Sequence, residues 1–192
     1  VASGYHQMRI AVFASGSGTN FANLVTQGIP VTLLFCDKRD ARVLERACEL
    51  GVTARTFELK EFKDKAAYET ALLALLSEFK IDLIVLAGYM KLVSTTLLNA
   101  YEGRIINIHP AYLPEFPGAH GIEDAWQAGV SESGVTIHYV DAGVDTGEII
   151  AQKRVPILAD DTLATFEARI HEMEYQLYPQ VLSQLMTKGD EG

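Results

Sequence analysis

The sequence predicts an α/β fold, an open and mostly parallel twisted sheet with helices on both of its faces. Short apolar runs alternate with helical segments along most of the chain, which is the pattern of consecutive βα units. The run at 82–87 is apolar at nearly every position, as in a strand covered on both faces. Toward the C-terminus two strand-like runs follow each other without a helix between them, which predicts an antiparallel addition to the sheet.

The first part of the chain supplies the alternating elements. Apolar side chains at helical spacing, from Tyr68 through Leu72 and Leu75 to Phe79, indicate a long amphipathic helix. In chain order the prediction is a strand at 9–14, a helix at about 21–26, a strand at 31–36, a helix at 41–50, a weaker strand at 53–57, the long helix, a strand at 82–87, a further helix and a strand at 104–108.

The later part of the chain has a different rhythm. Strand-like runs at 135–140 and 148–155 flank a short connection rich in Asp and Gly, so they predict a hairpin-like pair. A long final helix is predicted to begin near Asp161, and Pro179 is expected to kink it.

Length and the absence of repeats or linkers bound the domain organisation. The chain has 192 residues, enough for one domain with a sizeable core, and we expect that domain to span residues 8–189. Residues 1–7 are expected to be an added, non-native segment, because Met8 directly precedes the first predicted strand. They show neither the basic region nor the apolar region of a secretory signal, so a cytoplasmic location is expected.

Composition excludes some classes of partner. Lys and Arg total 16 against 25 Asp and Glu, and the resulting net charge of −9 disfavours binding to nucleic acid. No apolar run approaches the ~18 residues that a membrane span needs. Cys36 and Cys48 are expected to be buried free thiols rather than a disulfide. Small-molecule substrates are therefore the expected partners, and the chain is expected to act as a monomer or a homodimer.

The loop at 15–20, SGSGTN, directly follows the first predicted strand, and ligands of open α/β sheets bind at the carboxyl ends of the strands. Its glycines would let backbone amides approach an anion, and the next helix adds partial positive charge. No third glycine completes a dinucleotide motif, and no Lys-Ser/Thr pair completes a P-loop. A small phosphate ester is the favoured ligand; a tight strand-to-helix turn is the structural alternative.

The segment at 88–93, GYMKLV, follows another buried strand. Its apolar side chains and single cation could line a ligand cleft, or the segment could begin a helix with a solvated lysine.

Two polar motifs follow. In Asn107-Ile108-His109-Pro110, strand alternation puts Asn107 and His109 on the same side, and the proline disfavours helical geometry at His109. In the later DAGVDTG segment, Asp141 fits ordinary turn chemistry, whereas Asp145 could approach His109 only through the tertiary fold.

Together these motifs resemble the folate-dependent phosphoribosylglycinamide formyltransferases of de novo purine synthesis. The similarity rests on Asn-x-His-Pro followed by Leu-Pro at 113–114 and on the DTG segment at 145–147, and the glycine loop narrows the choice among enzymes that use 10-formyltetrahydrofolate. It implies a Rossmann-like formyltransferase fold and transfer of a formyl group from 10-formyltetrahydrofolate, as co-substrate, to the amine of 5'-phosphoribosylglycinamide.

The resemblance also implies roles for particular residues. The catalytic set would be Asn107, His109 and Asp145. The residues that bind the nucleotide substrate would be Gly18, Thr19, Asn20 and Glu174. The residues that bind the folate would be Lys65, Met90, Lys91, Leu92, Val93 and Asn107, and no metal is expected. Lys65 and Lys91 stand where many members of the family have Arg, which changes the geometry available for contacts with carboxylates.

The catalytic set suits attack of an amine on a formyl carbon. Asn107 could donate a hydrogen bond to the oxyanion of the tetrahedral intermediate, and a protonated His109 could donate a stronger one. A nearby Asp145 would favour the charged imidazole. His109 or a water molecule could move protons from the amine to the departing nitrogen.

Three alternatives remain at this point. A formyltetrahydrofolate hydrolase or a methionyl-tRNA formyltransferase would share the catalytic set, although each usually has an additional domain. A non-catalytic nucleotide-binding module would use the glycine loop alone and leave the catalytic set without a purpose.

Overall fold

The computed structural model describes residues 7–190, and within that range the chain forms one seven-stranded sheet with helices on both faces. The strands are β1 Ile10–Ala14, β2 Val31–Cys36, β3 Ala54–Thr56, β4 Leu83–Leu86, β5 Ile105–His109, β6 Glu132–Tyr139 and β7 Ile149–Pro156. The helices are α1 Thr19–Thr26, α2 Arg42–Leu50, α3 Lys65–Glu78, α4 Thr95–Ala100, α5 Gly121–Ala128 and α6 Leu163–Asp190, with a 3₁₀ turn at Leu59–Glu61.

The order of the strands in the sheet is β3-β2-β1-β4-β5-β6-β7. The first five strands are parallel, while β6 pairs antiparallel with both β5 and β7. The predicted fold class is therefore confirmed, and the two late strands form the expected antiparallel addition.

Strand β1 shows why helices must cover both faces. All five of its side chains are buried, and they alternate between two separate cores. Ile10 and Val12 belong to the core under α1, α2, α5 and α6, whereas Phe13 belongs to the core under α3 and α4. A strand with water on neither side needs no polar position, which explains its continuous apolar sequence.

The long helix α6 is tied to the sheet by its fully buried Tyr178. The phenol hydroxyl donates a 2.7 Å hydrogen bond to the carbonyl of Leu86 at the end of β4. Helix α6 continues through Pro179, which lies inside it. The C-terminal helix therefore lies close to the carboxyl end of a central strand.

Three expectations differ from the structure or lie outside it. The sequence reasoning missed α5, which is only eight residues long and follows a segment rich in proline and glycine. Cys48 is exposed rather than buried, because it is one position past the buried Ala47 and is turned about 100° away from the core. Apart from Gln7, the residues expected to be an added segment lie outside the described range, and the single domain over 8–189 stays a prediction.

The sheet brings the carboxyl ends of β1, β2, β4 and β5 to one edge. The chain continues from β1 outward to β2 on one side, and β4 pairs with β1 on the other. This reversal of strand order is where open α/β sheets leave a crevice for a ligand. The segments that follow β1, β4 and β5 are the ones that the sequence singled out.

Candidate active site

A cavity of about 920 Å³ opens at this edge of the sheet. Its walls come from the glycine loop after β1, the segment after β4, the end of β5, the connection between β6 and β7, and one face of α6. All but one of the predicted site residues line it: Gly18, Thr19, Asn20, Lys65, Met90, Lys91, Leu92, Val93, Asn107, Asp145 and Glu174. The exception is His109.

The glycine loop is fixed against α2. Gly18 caps α1 in a left-handed conformation, with φ of 73°, and a Cβ atom there would lie 2.3 Å from Cγ2 of Val43. The carbonyl of Gly16 accepts a 3.0 Å hydrogen bond from the backbone N–H of Val43. Gly18 is therefore required by its backbone angle and by close packing, whatever the loop binds, so the structural alternative holds for this residue as well.

The first two residues of α1, Thr19 and Asn20, line the cavity, and the first backbone N–H groups of a helix have no partners within the helix. Asn20, in the first turn, has a buried Oδ1 atom without a hydrogen-bond partner among the described residues. Nearby, Nε of Arg46 donates a 2.6 Å hydrogen bond to the carbonyl of Ser17. The loop thus combines amide donors, a neighbouring cation and a free acceptor.

Residues 88–93, here called the wall segment, form no helix, so the alternative that they begin one is wrong, and they line the cavity. Ser15 holds the segment from below: its backbone N–H donates to the carbonyl of Gly88 at 3.1 Å, and its hydroxyl accepts from the N–H of Met90 at 2.9 Å. Met90 and Leu92 are each 67% exposed and line the cavity. The segment therefore presents two large apolar side chains to the cavity.

Helix α3 supports the wall segment from the other side. The hydroxyl of Tyr68 lies 2.8 Å from that of Tyr89, and burial raises the pKa of both phenols. The buried carboxylate of Glu69 accepts three hydrogen bonds, from the N–H and hydroxyl of Ser94 and from the N–H of Leu97. Glu69 therefore caps α4 from a distance and fixes the end of the wall segment.

Asp145 is the meeting point of the polar centre. Its Oδ2 accepts a 2.8 Å hydrogen bond from the N–H of Gly118 and lies 3.5 Å from Nδ1 of His109, while its Oδ1 lies 3.5 Å from Nε2 of His138. Burial alone would raise the pKa of Asp145, but the bonds from His138 and Gly118 and the charge of His109 hold it below its ordinary value. The carboxylate is thus kept ionised.

His109 does not line the cavity. Its side chain is buried, and its Nε2–H donates a 2.8 Å hydrogen bond to the carbonyl of Phe116, which leaves Nδ1 facing Asp145. A Cβ atom on Gly121 would lie 3.2 Å from Nε2, so the glycine leaves room for the ring. Both ring nitrogens therefore face oxygen atoms, one of Phe116 and one of Asp145.

His138 is a site residue that the sequence reasoning missed. It lies opposite Asn107 in the register of β5 and β6, lines the cavity, and places Nε2 3.5 Å from Nδ2 of Asn107. Its Nδ1–H donates to the carbonyl of Tyr139 at 2.8 Å. Nothing in the sequence pattern reveals this position, because the register of two antiparallel strands decides which residue faces Asn107.

Helix α6 contributes His171 and Glu174. Nδ1 of His171 lies 2.6 Å from Oε1 of Glu174, and Nε2 lies 3.4 Å from Oε1 of Glu167. The hydrogen bond to Glu174 raises the pKa of His171, so its positive charge persists above the usual range. Asn23 of α1 donates to the carbonyl of Tyr175 at 2.8 Å, which keeps this face of α6 beside α1. His171 was also missed, although its i,i+3 spacing from Glu174 was readable.

The lysines differ in their surroundings. Lys91 lies 3.5 Å from Oδ2 of the buried Asp37. Lys65 is the first residue of α3. Both Lys65 and the exposed Lys38 line the cavity.

Among residues 7–190 no group of three His, Cys, Asp or Glu side chains is arranged to hold a metal ion, and no helix there is long and apolar enough to cross a membrane.

Comparison with known proteins gives consistent matches. Residues 8–182 match the formyl transferase family. The phosphoribosylglycinamide formyltransferase of Bacillus subtilis is 47% identical, over 96% of this chain and 97% of its own. The crystal structure of phosphoribosylglycinamide formyltransferase from Streptococcus pneumoniae is 67% identical, with a TM-score of 0.91 over 93% of this chain and 98% of that one. Glycinamide ribonucleotide transformylase 1 from Geobacillus kaustophilus is 51% identical, with a TM-score of 0.91 over 94% and 100%.

The geometry at Gly18 yields a prediction for stability. We expect Gly18→Ala to lower the free energy of unfolding by about 1–3 kcal/mol, since the left-handed angle alone has such a cost for a residue with a side chain. Because the new methyl group would also meet Val43, combining the substitution with Val43→Ala should cost less than the sum of the two single changes. Urea denaturation measures all three variants.

Gly16→Ala is the matched control, since a Cβ atom there meets no atom within 4 Å. If the costs of Gly18→Ala and Val43→Ala simply add, Cγ2 of Val43 is not the atom that makes glycine necessary, because the substitution leaves Cα and Cβ of residue 43 in place.

Proposed function

The chain belongs to the formyl transferase family, and from that membership we propose that it transfers the formyl group of 10-formyltetrahydrofolate to the amine of 5'-phosphoribosylglycinamide in purine synthesis. The observation that carries the proposal is the continuity of the cavity. One cavity is lined by the glycine loop, the wall segment, Asn107 and Asp145. A nucleotide at one end and a folate at the other would bring an amine and a formyl group together near Asn107 and Asp145.

The nucleotide end lies against the glycine loop. The N–H groups at the start of α1 and the partial positive charge of that helix suit a phosphate, and Arg46 adds a cation beside Ser17. Asn20 lines the cavity beside this loop, with its Oδ1 atom buried. The carboxylate of Glu174, which also lines the cavity, would accept a hydrogen bond from a sugar hydroxyl. This arrangement supports substrate-binding roles for Thr19, Asn20 and Glu174.

The folate end lies along the wall segment. Met90 and Leu92 offer apolar surface for a flat aromatic ring, and Val93 continues that surface. Lys65, at the mouth of the cavity, suits the carboxylates of the glutamate tail. The volume of about 920 Å³ falls within the range of about 300–1,000 Å³ that is typical of ligand pockets.

The reaction makes one bond and breaks one. The amine nitrogen attacks the formyl carbon, and the tetrahedral centre then releases the folate nitrogen, while one proton passes from the amine to that nitrogen. Asn107 lines the cavity and its Nδ2 can donate to the oxyanion. His138 lies next to Asn107, lines the same cavity and faces Asp145, so it helps to fix the positions of both side chains.

Asp145 organises the charges around this step. It holds two imidazoles at 3.5 Å each, and its depressed pKa keeps it an anion throughout. A carboxylate that stays charged at the cavity wall can stabilise the positive charge that develops on the attacking amine, while a water molecule carries the amine proton to the folate nitrogen. In this arrangement His109 acts through Asp145, because its own Nε2–H is already donated to Phe116.

The cytoplasmic location and a monomeric or dimeric state are part of the proposal.

An assay of 10-formyltetrahydrofolate loss with different formyl acceptors distinguishes this function from those of the hydrolase and the tRNA formyltransferase. Loss of 10-formyltetrahydrofolate should be fast only when 5'-phosphoribosylglycinamide is present, and the formylated nucleotide should appear in equal amount. Loss without the nucleotide would indicate a hydrolase, and transfer to charged initiator tRNA would indicate the other formyltransferase class. No turnover under any of these conditions would contradict the proposed enzymatic function.

The polar centre should behave as one unit. We expect Asn107→Ala to lower kcat roughly a hundred- to a thousand-fold, the usual cost of losing an oxyanion donor. His109→Ala and Asp145→Ala should each lower kcat strongly, and the double variant should cost much less than the product of the two, because they share one ion pair. Steady-state kinetics measures these effects.

Asp141→Asn is the matched control for this unit. That carboxylate lies in the same connection but is bonded only within its own turn, to Gly143 and Thr146, in the hydrogen bonds of the described residues. Fully multiplicative effects of the His109 and Asp145 substitutions would show that the two side chains act independently.

The pKa of His171 predicts the pH dependence of nucleotide binding. The charged groups that bear on this ring are Glu174 and Glu167 of its own helix, whereas residues 15–26, which include the facing loop and α1, carry no charge. While protonated, His171 offsets the two carboxylates near the substrate phosphate. As pH rises through its raised pKa this charge is lost, so the KM for the nucleotide should rise by about threefold to tenfold.

His171→Asn should make that KM nearly independent of pH, whereas replacing the exposed His120 with Asn should change nothing. The KM for the folate should stay constant in both variants. An unchanged pH profile after loss of His171 would remove this residue from the substrate site.

A further inference from the structure

We propose that Asp37 is a positioning residue for the folate end of the cavity, and that Lys91 anchors the wall segment to it instead of contacting the carboxylate tail of the folate. This inference rests on the proposed function for the identity of the ligand. It also revises the role that the family resemblance implied for the side chain of Lys91.

Asp37 is placed where a charge is costly. It directly follows β2, its side chain is 1% exposed, and its Oδ2 lies 3.5 Å from Nζ of Lys91. Its Oδ1 is buried and has no hydrogen-bond partner among the described residues. A buried carboxylate needs a compensating charge, and Lys91 is the cation that the described residues place within 4 Å of it.

The charge of Lys91 is therefore already engaged. If its ammonium group moved out to meet a folate carboxylate, Asp37 would be left buried and uncompensated, which is the expensive way to break an ion pair. Lys65 and Lys38 are not engaged in this way, because neither forms an ion pair in the described part of the chain. Both of them line the cavity. The tail carboxylates would thus be met by free cations rather than by Lys91.

The ion pair between Asp37 and Lys91 holds the wall segment next to its two exposed apolar side chains. Lys91 stands between Met90 and Leu92, the two exposed apolar residues that face the cavity. The other ties of the segment are neutral hydrogen bonds at Gly88, Tyr89 and Met90. Tyr89 and Val93 also pack against the core. The ion pair with Asp37 is the charged tie that residues 7–190 show within 88–93, and it acts on the position directly before Leu92.

The test separates anchoring from contact with the tail. Tetrahydrofolate and tetrahydropteroate, which lacks the glutamate, are titrated by calorimetry into the wild type and into Asp37→Asn, Lys91→Met and the double variant. The ratio of the two affinities measures what the tail contributes. We expect the single changes to weaken both ligands by about fivefold, with the ratio unchanged, and the double variant to lose no more than either single one. Binding of the nucleotide should stay within about twofold of the wild type.

Lys65→Met is the matched control, because a cation that meets the tail should lower the affinity ratio when it is removed. If Lys91→Met lowers the ratio as Lys65→Met does, or if the effects of the two anchor changes multiply in the double variant, the inference is wrong. A wild type that neither binds tetrahydrofolate nor transfers a formyl group contradicts the proposed function instead.

The ion pair itself is tested without any ligand. Urea denaturation of the same four proteins gives the coupling between Asp37 and Lys91. We expect Lys91→Met to be the least stable, because it leaves the carboxylate buried and unpaired, and the double variant to regain part of that loss. Additive effects on unfolding would overturn the anchoring role whatever the protein binds.

Discussion

The structure depends on β1 being buried on both faces and paired on both edges. Its side chains alternate between two cores, and its neighbours are β2 and β4. The chain leaves this strand at Ser15, whose backbone and hydroxyl hold the wall segment, and then turns at Gly18 into α1. One rigid strand end therefore sets the positions of the two walls that are proposed to hold the two substrates.

The buried ionisable groups are concentrated around the same cavity. Among the described residues the buried acids and histidines are Asp37, Glu69, His109, His138 and Glu174, and each lines the cavity or supports its wall. Burying a charge is unfavourable unless it is paired, and each of the three acids has partners: a lysine, three hydrogen-bond donors and an imidazole. Stability alone does not explain why such groups are concentrated at one edge of the sheet. A binding site explains it, because charges at the site must be held in fixed positions.

Asp145, unlike the buried Asp37 and Glu69, lines the cavity itself. Its backbone is left-handed, with φ of 55°, and lies in the connection between β6 and β7. Its carboxylate is held by groups from three other segments, which contribute Gly118, His109 and His138. The antiparallel addition to the sheet thus has a direct consequence for the chemistry. It brings the β6–β7 connection back over the end of β5, so that Asp145 meets His109 and His138.

The sequence alone determined the fold class, the order of most elements and the chemistry-bearing segments, because continuous apolar strands, helical spacing and the Asn-x-His-Pro motif are local patterns. Through the resemblance to a family it also predicted a set of site residues, and all of these except His109 line the cavity. It predicted that His109 contacts the substrate directly, whereas the side chain is buried and does not line the cavity. It also did not reveal His138 or the support that Asp37 and Glu69 give to the wall segment. Those features follow from strand register, from the packing of α3 against the wall segment and from the direction in which each side chain points. Such contacts join residues that are distant along the chain, and only the tertiary structure brings them within reach of one another.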